Sequence, residues 1–183
     1  FDKAQRMRKL GAIISDELLI SKEKVELSAS ISKVDLLSEL VGEFPELQGI
    51  MGGYFANVQG FDKEISLAIS EQYLPVGSGT KIPKKPYSIA LSLADKIDTL
   101  VGFFIIDEKP TSSKDPFALR RSAIGWLRII IDNKLNLKLR NLISYNIKLF
   151  EDQGVNKIND NSENEILVFL KERMKNILRE KNI

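Results

Sequence analysis

The sequence predicts an all-α protein, and three observations carry that prediction. Apolar residues recur at three- and four-residue steps over most of the chain. No strand-type alternation reaches a useful length. The periodic stretches are separated by Gly, Pro and polar clusters, as helices joined by turns would be. Ala4, Met7, Leu10, Gly11, Ile14 and Leu18 mark the first amphipathic helix. A second is expected over residues 26–40, with Leu27, Ile31, Val34 and Leu37 or Leu40 on one stripe. From Val41 to Tyr54 the pattern is broken by Pro45 and by Gly42, Gly49, Gly52 and Gly53. A short helix is expected over 63–72, and the Gly-, Pro- and Lys-rich stretch 75–86 reads as a mobile loop.

Residues 87–104 form the most apolar predicted helix, with Ala90, Leu93, Ala94, Ile97, Val101 and Phe104 along one side. Asp115 is a good helix N-cap and Pro116 suits the first helical position, so the next helix is expected to open there. Leu119, Ala123, Trp126, Leu127 and Ile130 would share its buried face. Arg121 and Arg128 would lie on the opposite face, about 10 Å apart along the axis. Two further helices are expected near 137–151 and 162–181, joined by the polar linker 153–162. No internal repeat or low-complexity tract appears.

Composition bounds the function. A chain of 183 residues with 43% hydrophobic content can bury a real core, in one or at most two domains. The division expected is a helical domain over 1–135 and a helical extension over 136–183. No apolar run is long enough to span a membrane. The first residues lack the apolar region of a signal peptide, and no initiator Met opens the chain, as expected of an internal segment. Cysteine is absent, which excludes disulfides and thiolate metal sites from this chain and makes the cytoplasm the expected compartment. Histidine is absent too, so no imidazole base, imidazole metal ligand or Ser-His triad can form within it. A net charge of +2 gives a weak global field, so any nucleic-acid contact must come from a local patch. Neither a Gly-x-x-x-x-Gly-Lys-Ser/Thr loop nor a Gly-x-Gly-x-x-Gly turn is present to cradle a nucleotide.

Three groups of residues remain as candidates. Asp35, Asp95 and Asp98 are helical carboxylates, and on a helical wheel Asp95 points away from the apolar stripe, as a solvated residue would. Lys109, Lys114, Arg120, Arg121 and Arg128 gather around the helix start at Asp115, where backbone amides and the helix dipole favour an anion. They can serve as a solvated face with internal salt bridges, Arg120 pairing with Asp95 or Asp98, or as contacts to an anionic partner such as a phosphate. Phe44, Leu47, Ile50 and Met51 stand among glycines in a segment too apolar for idle solvent-exposed chain. It either folds back on its own core or docks another domain or subunit.

Four segments carry a family resemblance: Lys33-Val-Asp35-Leu, Val41-Gly-Glu-Phe-Pro-Glu-Leu-Gln-Gly-Ile-Met51-Gly, Ala94-Asp-Lys-Ile-Asp-Thr-Leu100-Val-Gly, and Lys109-Pro-Thr-Ser-Ser-Lys114-Asp-Pro-Phe-Ala-Leu-Arg120-Arg121 running on through Ser122-Ala-Ile-Gly-Trp-Leu-Arg128. In this order they resemble the beta subunit of bacterial glycyl-tRNA synthetase, nearly end to end, as a middle portion of that subunit. The resemblance implies an HD-domain-like helical bundle with additional C-terminal helices. In HD phosphohydrolases the motif is a His, a His-Asp pair and a final Asp. Here Val34-Asp35 matches the pair and Asp95 the final Asp, with the histidines lost. Two carboxylates are too few to hold a bimetal centre and activate water, so the resemblance implies a scaffold without hydrolase activity, with no catalytic residue and no metal of its own. It also implies an alpha subunit carrying the glycine and ATP site, with ATP and Mg used by the holoenzyme. It further implies the tRNA for glycine as nucleic-acid partner, with Lys109, Lys114, Arg120, Arg121 and Arg128 as candidate contacts to tRNA phosphate or to the alpha subunit, and an anticodon-binding region is expected beyond residue 183.

Overall fold

Two helices, α1 (Asp2–Leu18) and α2 (Lys22–Ile31), pack as a pair at the start of the computed structural model, which describes residues 1–77, 79–111, 113–156 and 158–181. Leu19 closes α1 in the left-handed region at φ 53°, and the Ser21 hydroxyl opens α2 by accepting from Lys24 N–H at 3.3 Å. Gly11 lets the two helices approach: a Cβ there would stand 2.6 Å from Val25 Cγ1. Met7, Leu10 and Ile14 are fully buried against this seam.

The single helix expected over 26–40 is not formed. After α2 come a 3₁₀ turn at Val34–Leu37 and a short α3 at Glu39–Glu43. Hydroxyl groups interrupt the helix: Ser32 Oγ donates back to Ala29 O at 2.9 Å, and Ser38 Oγ restarts it by accepting from Val41 N–H at 3.3 Å. The expected stripe fails with it, since Leu27, Val34, Leu37 and Leu40 are all exposed while Val25 and Ala29 are buried.

A second 3₁₀ turn, Pro45–Leu47, leads through Gly49 at φ 81° into α4 (Ile50–Val58), which packs on α5 (Lys63–Glu71). Gly52 and Gly53 do not break this segment but sit inside α4. A Cβ at Gly53 would meet Ser66 O at 2.6 Å, and one at Gly52 would meet Ile69 Cγ2 at 2.9 Å. Their missing side chains are what bring the α4 and α5 backbones together.

Helix α6 (Pro86–Ile105) follows, and every residue from Ser88 through Asp98 is buried. Then come α7 (Leu119–Asp132), α8 (Leu139–Asp152) and α9 (Ser162–Glu180). Helix α7 opens four residues after Asp115, with Ala118 left-handed at φ 53° before it. Its buried face runs Leu119, Ala123, Trp126, Leu127 and Ile129, so the stripe passes through Ile129 where Ile130 was expected.

Contacts divide the chain into two compact units: Phe1–Pro75 with Thr80–Asp95, and Val76–Gly79 with Lys96–Ile183. Position 135/136 falls within the second unit, in the turn between α7 and α8. The first unit is built on α1 to α5 and the start of α6. The second is built on the rest of α6, with α7 and α8 each packed on α9, around Trp126, Ile97, Leu100 and Leu119. There Gly102 faces the Phe150 ring, whose Cζ would lie 2.9 Å from an added Cβ, and Phe104 meets Phe169 edge to face at 5.1 Å. The fold is all-α, with no strand among the described residues.

Candidate functional site

The carboxylates singled out by the sequence are buried, against the expectation of solvated groups: Asp35 is 1% exposed, Asp98 2% and Asp95 7%. Asp95 lies at the end of the first unit's share of α6. Its Oδ1 accepts from Lys33 Nζ at 2.7 Å, and Lys3 Nζ stands 3.4 Å away while donating to the Asp95 carbonyl at 3.2 Å. Lys33 extends from the turn that ends α2. It also donates to Tyr73 Oη at 2.9 Å and lies over that ring at 4.1 Å. Gln48 Nε2 donates to the same phenol oxygen at 2.6 Å. Burial, then the negative charge of Asp95, push the Tyr73 hydroxyl well above the usual tyrosine range, so it remains a neutral phenol.

Asp35 is held differently. The 3₁₀ turn Val34–Leu37 places it against α4, where its Oδ2 accepts from Gly49 N–H at 2.6 Å. Its Cγ would stand 3.2 Å from a Cβ at Gly52, so the glycine leaves room for the carboxyl. Its Oδ1 has no hydrogen-bond partner, and no salt bridge reaches Asp35 among the described residues. The chemistry of this region does not suit a divalent metal. The Lys33 ammonium stands at hydrogen-bonding distance from Asp95, where a metal ion would need an unprotonated donor set. No group of three or more His, Cys, Asp or Glu able to hold a metal occurs among the described residues. Lys33 was within a quoted segment and could have been suspected. So could Gln48, which lies in the segment Val41 to Gly52, whereas Lys3 and Tyr73 carried no signal in the sequence.

The basic residues belong to the second unit, and the structure separates them. Lys109 Nζ contacts Asp107 at 2.6 Å and Glu165 at 2.8 Å, and these partners, Asp107 first, raise its pKa. Arg120 does not pair with Asp95 or Asp98. It stands 3.8 Å from Asp115 and donates to the Thr111 carbonyl. Asp115 serves as a cap from a distance, its two oxygens accepting from Leu119 N–H at 2.8 Å and Arg120 N–H at 3.0 Å. This is why α7 starts later than expected while Asp115 still governs its start. Arg128 is half-buried and donates to Gly77 O at 3.2 Å, so it does not share an open face with Arg121. Lys114 and Arg121 are exposed, and no described residue engages either charged group.

The apolar segment is partly open. Phe44 is 46% exposed, while Leu47 and Met51 are half-buried. Leu36, Leu37, Ile50 and Tyr54 are also exposed on this stretch of the first unit, at 47%, 87%, 53% and 59%. No helix among the described residues is long and apolar enough to cross a membrane.

Comparison with known proteins places these features in a family. The family model described as "Glycyl-tRNA synthetase beta subunit" matches residues 1–183. The chain is similar to the protein named glycine–tRNA ligase beta subunit of Acinetobacter baumannii, at 44% identity over 173 residues, 94% of this chain and 25% of that one. The like-named protein of Acinetobacter baylyi shows the same identity and coverage. That of Pseudomonas syringae pv. syringae is 46% identical over 150 residues, 82% of this chain and 22% of its own length. The chain thus spans about a quarter of the length of the curated relatives it matches. It belongs to the glycyl-tRNA synthetase beta subunit family.

Proposed function

We propose that this chain is a scaffolding and tRNA-holding segment of a glycine–tRNA ligase beta subunit. In that role it works in the cytoplasm with an alpha subunit that carries the glycine and ATP site, and the assembled enzyme uses ATP and Mg to join glycine to its tRNA. The chain itself would supply neither a catalytic residue nor a nucleotide cradle. The observation that carries the tRNA reading is the exposure of Lys114 and Arg121 beside the Asp115-capped start of α7, with neither charge engaged. Arginine suits phosphate because its fork can bond two oxygens at once, and such contacts fix position without reading bases. The open apolar residues Phe44, Ile50 and Tyr54 support a docking role for the first unit, toward the rest of the subunit or toward the alpha subunit.

A phosphohydrolase reading is disfavoured by the Lys33 ammonium at Asp95 and by the absence of histidine. A pure spacer is the rival that matters, and fluorescence anisotropy with glycine tRNA and an unrelated tRNA over a salt series separates the two. Phosphate contact predicts salt-dependent binding of the 183-residue chain. The double variant Lys114→Glu, Arg121→Glu should then lower the slope of log affinity against log salt by about two units, roughly one per contact. No binding at low salt would leave the spacer reading standing.

A further inference from the structure

The 3₁₀ turn Val34–Leu37, α3, the turn Pro45–Leu47 and α4 pack on one another in the first unit, and their outer surface is both apolar and acidic. Leu40 and Phe44 stand one turn apart, as do Ile50 and Tyr54. With Leu36 and Leu37 they leave large apolar side chains between 38% and 87% exposed. Glu39, Glu43 and Glu46 are exposed on the same stretch, and none joins a salt bridge among the described residues. No Lys or Arg stands between Lys33 and Lys63, and Lys33 Nζ is turned to Asp95 and Tyr73. These acids work slightly against the local fold. Glu39 and Glu43 are like charges one turn apart, and Glu43 ends α3, where the helix dipole disfavours an anion. Carboxylates set against local stability, with no cation of their own chain to answer them, are complementary to cations from outside. They would repel RNA phosphate and anionic lipid, which leaves a polypeptide as the occupant.

We propose that this surface docks a basic amphipathic helix of a partner polypeptide. Its apolar stripe would lie on Leu37, Phe44, Ile50 and Tyr54, and its flanking Lys or Arg residues would meet Glu39, Glu43 and Glu46. A helix fits because α3 presents an apolar row, Leu40 and Phe44, beside an acidic row, Glu39 and Glu43, both at the four-residue step by which packed helices interlock. This rests on the docking role given above for the first unit, and adds the form and the sign of the partner.

The test uses a labelled peptide of about eighteen residues, long enough to hold a helix in water, with a leucine stripe flanked by lysines. Its counterpart carries glutamates in place of the lysines. Fluorescence anisotropy with the 183-residue chain should show the lysine peptide binding about tenfold tighter, as three exposed ion pairs would give, and the gap should close as salt is raised. The triple variant Glu39→Lys, Glu43→Lys, Glu46→Lys should invert the preference. The double variant Leu37→Ser, Tyr54→Ser should weaken the lysine peptide about tenfold. All five positions are exposed, so thermal melts of both variants should stay close to the parent's. Equal binding of the two peptides, weakened by the serine variant, would keep the docking role and overturn the charge complementarity. Binding of neither would overturn both. A preference that survives the triple reversal, or binding indifferent to the serine variant, would also overturn the proposal.

Discussion

The Asp95 cluster and the Asp115 segment are both built from charged residues on or beside helices, yet they put charge to opposite uses. Around Asp95 every participant is mostly buried: the Lys33 and Asp95 side chains are 15% and 10% exposed. The charges there are matched to one another and to Tyr73. Around Asp115 the charges lie at the surface, and the pairing is incomplete. Lys109, Arg120 and Arg128 are engaged by carboxylates or carbonyls, while Lys114 and Arg121 are left open. The difference teaches which charges can serve a partner. A buried pair fixes structure because neither member can leave without stranding the other, whereas an exposed cation with no internal ligand can be given to a phosphate at little internal cost.

The comparison can be broken most forcefully at Lys33. Replacing it by Met removes the 2.7 Å ion pair to Asp95 in a nearly dry site, and should destabilise the protein by about 3 kcal/mol in urea denaturation. The double variant Lys33→Met, Asp95→Leu should recover more than half of that loss, since the carboxylate is removed as well. A loss well under 1 kcal/mol for Lys33→Met alone would mean that the cluster is no more structural than the surface pairs.

What the sequence could and could not convey follows from the same physics. Helical period located α1, α5, α6, α8 and α9 closely, because one buried face repeating at 3.6 residues is a local signal. The division of residues 22–43 into α2, a 3₁₀ turn and α3 was hidden, since it depends on serine hydroxyls competing for backbone groups with no Gly or Pro to mark the place. Gly52 and Gly53 were misread as breakers because a glycine that admits a neighbouring helix looks, in sequence, like one that ends its own. Asp95 was misplaced for a related reason: a helical wheel assumes one wet side, and Ser88 to Asp98 has none. The five basic residues were found as a group, but the ones already held by Asp107, Glu165, Thr111 and Gly77 could be told from the open ones only in three dimensions.

Within the basic segment the contrast narrows to two arginines seven residues apart on α7. Arg128→Glu removes a charge-assisted bond to the Gly77 carbonyl and sets a carboxylate beside that oxygen, which should cost about 2 kcal/mol. Arg121→Glu should change stability by no more than about 0.5 kcal/mol, because its guanidinium is exposed and nothing among the described residues depends on it. Thermal melts of the two single variants under one buffer would check both values. Equal losses would mean that Arg121 has an internal role and is unfit as a phosphate ligand. A silent Arg121→Glu that still flattens the salt dependence of tRNA binding would separate recognition from stability at one residue. The same measurement on Arg128→Glu would mix the two, because a carbonyl already holds its guanidinium.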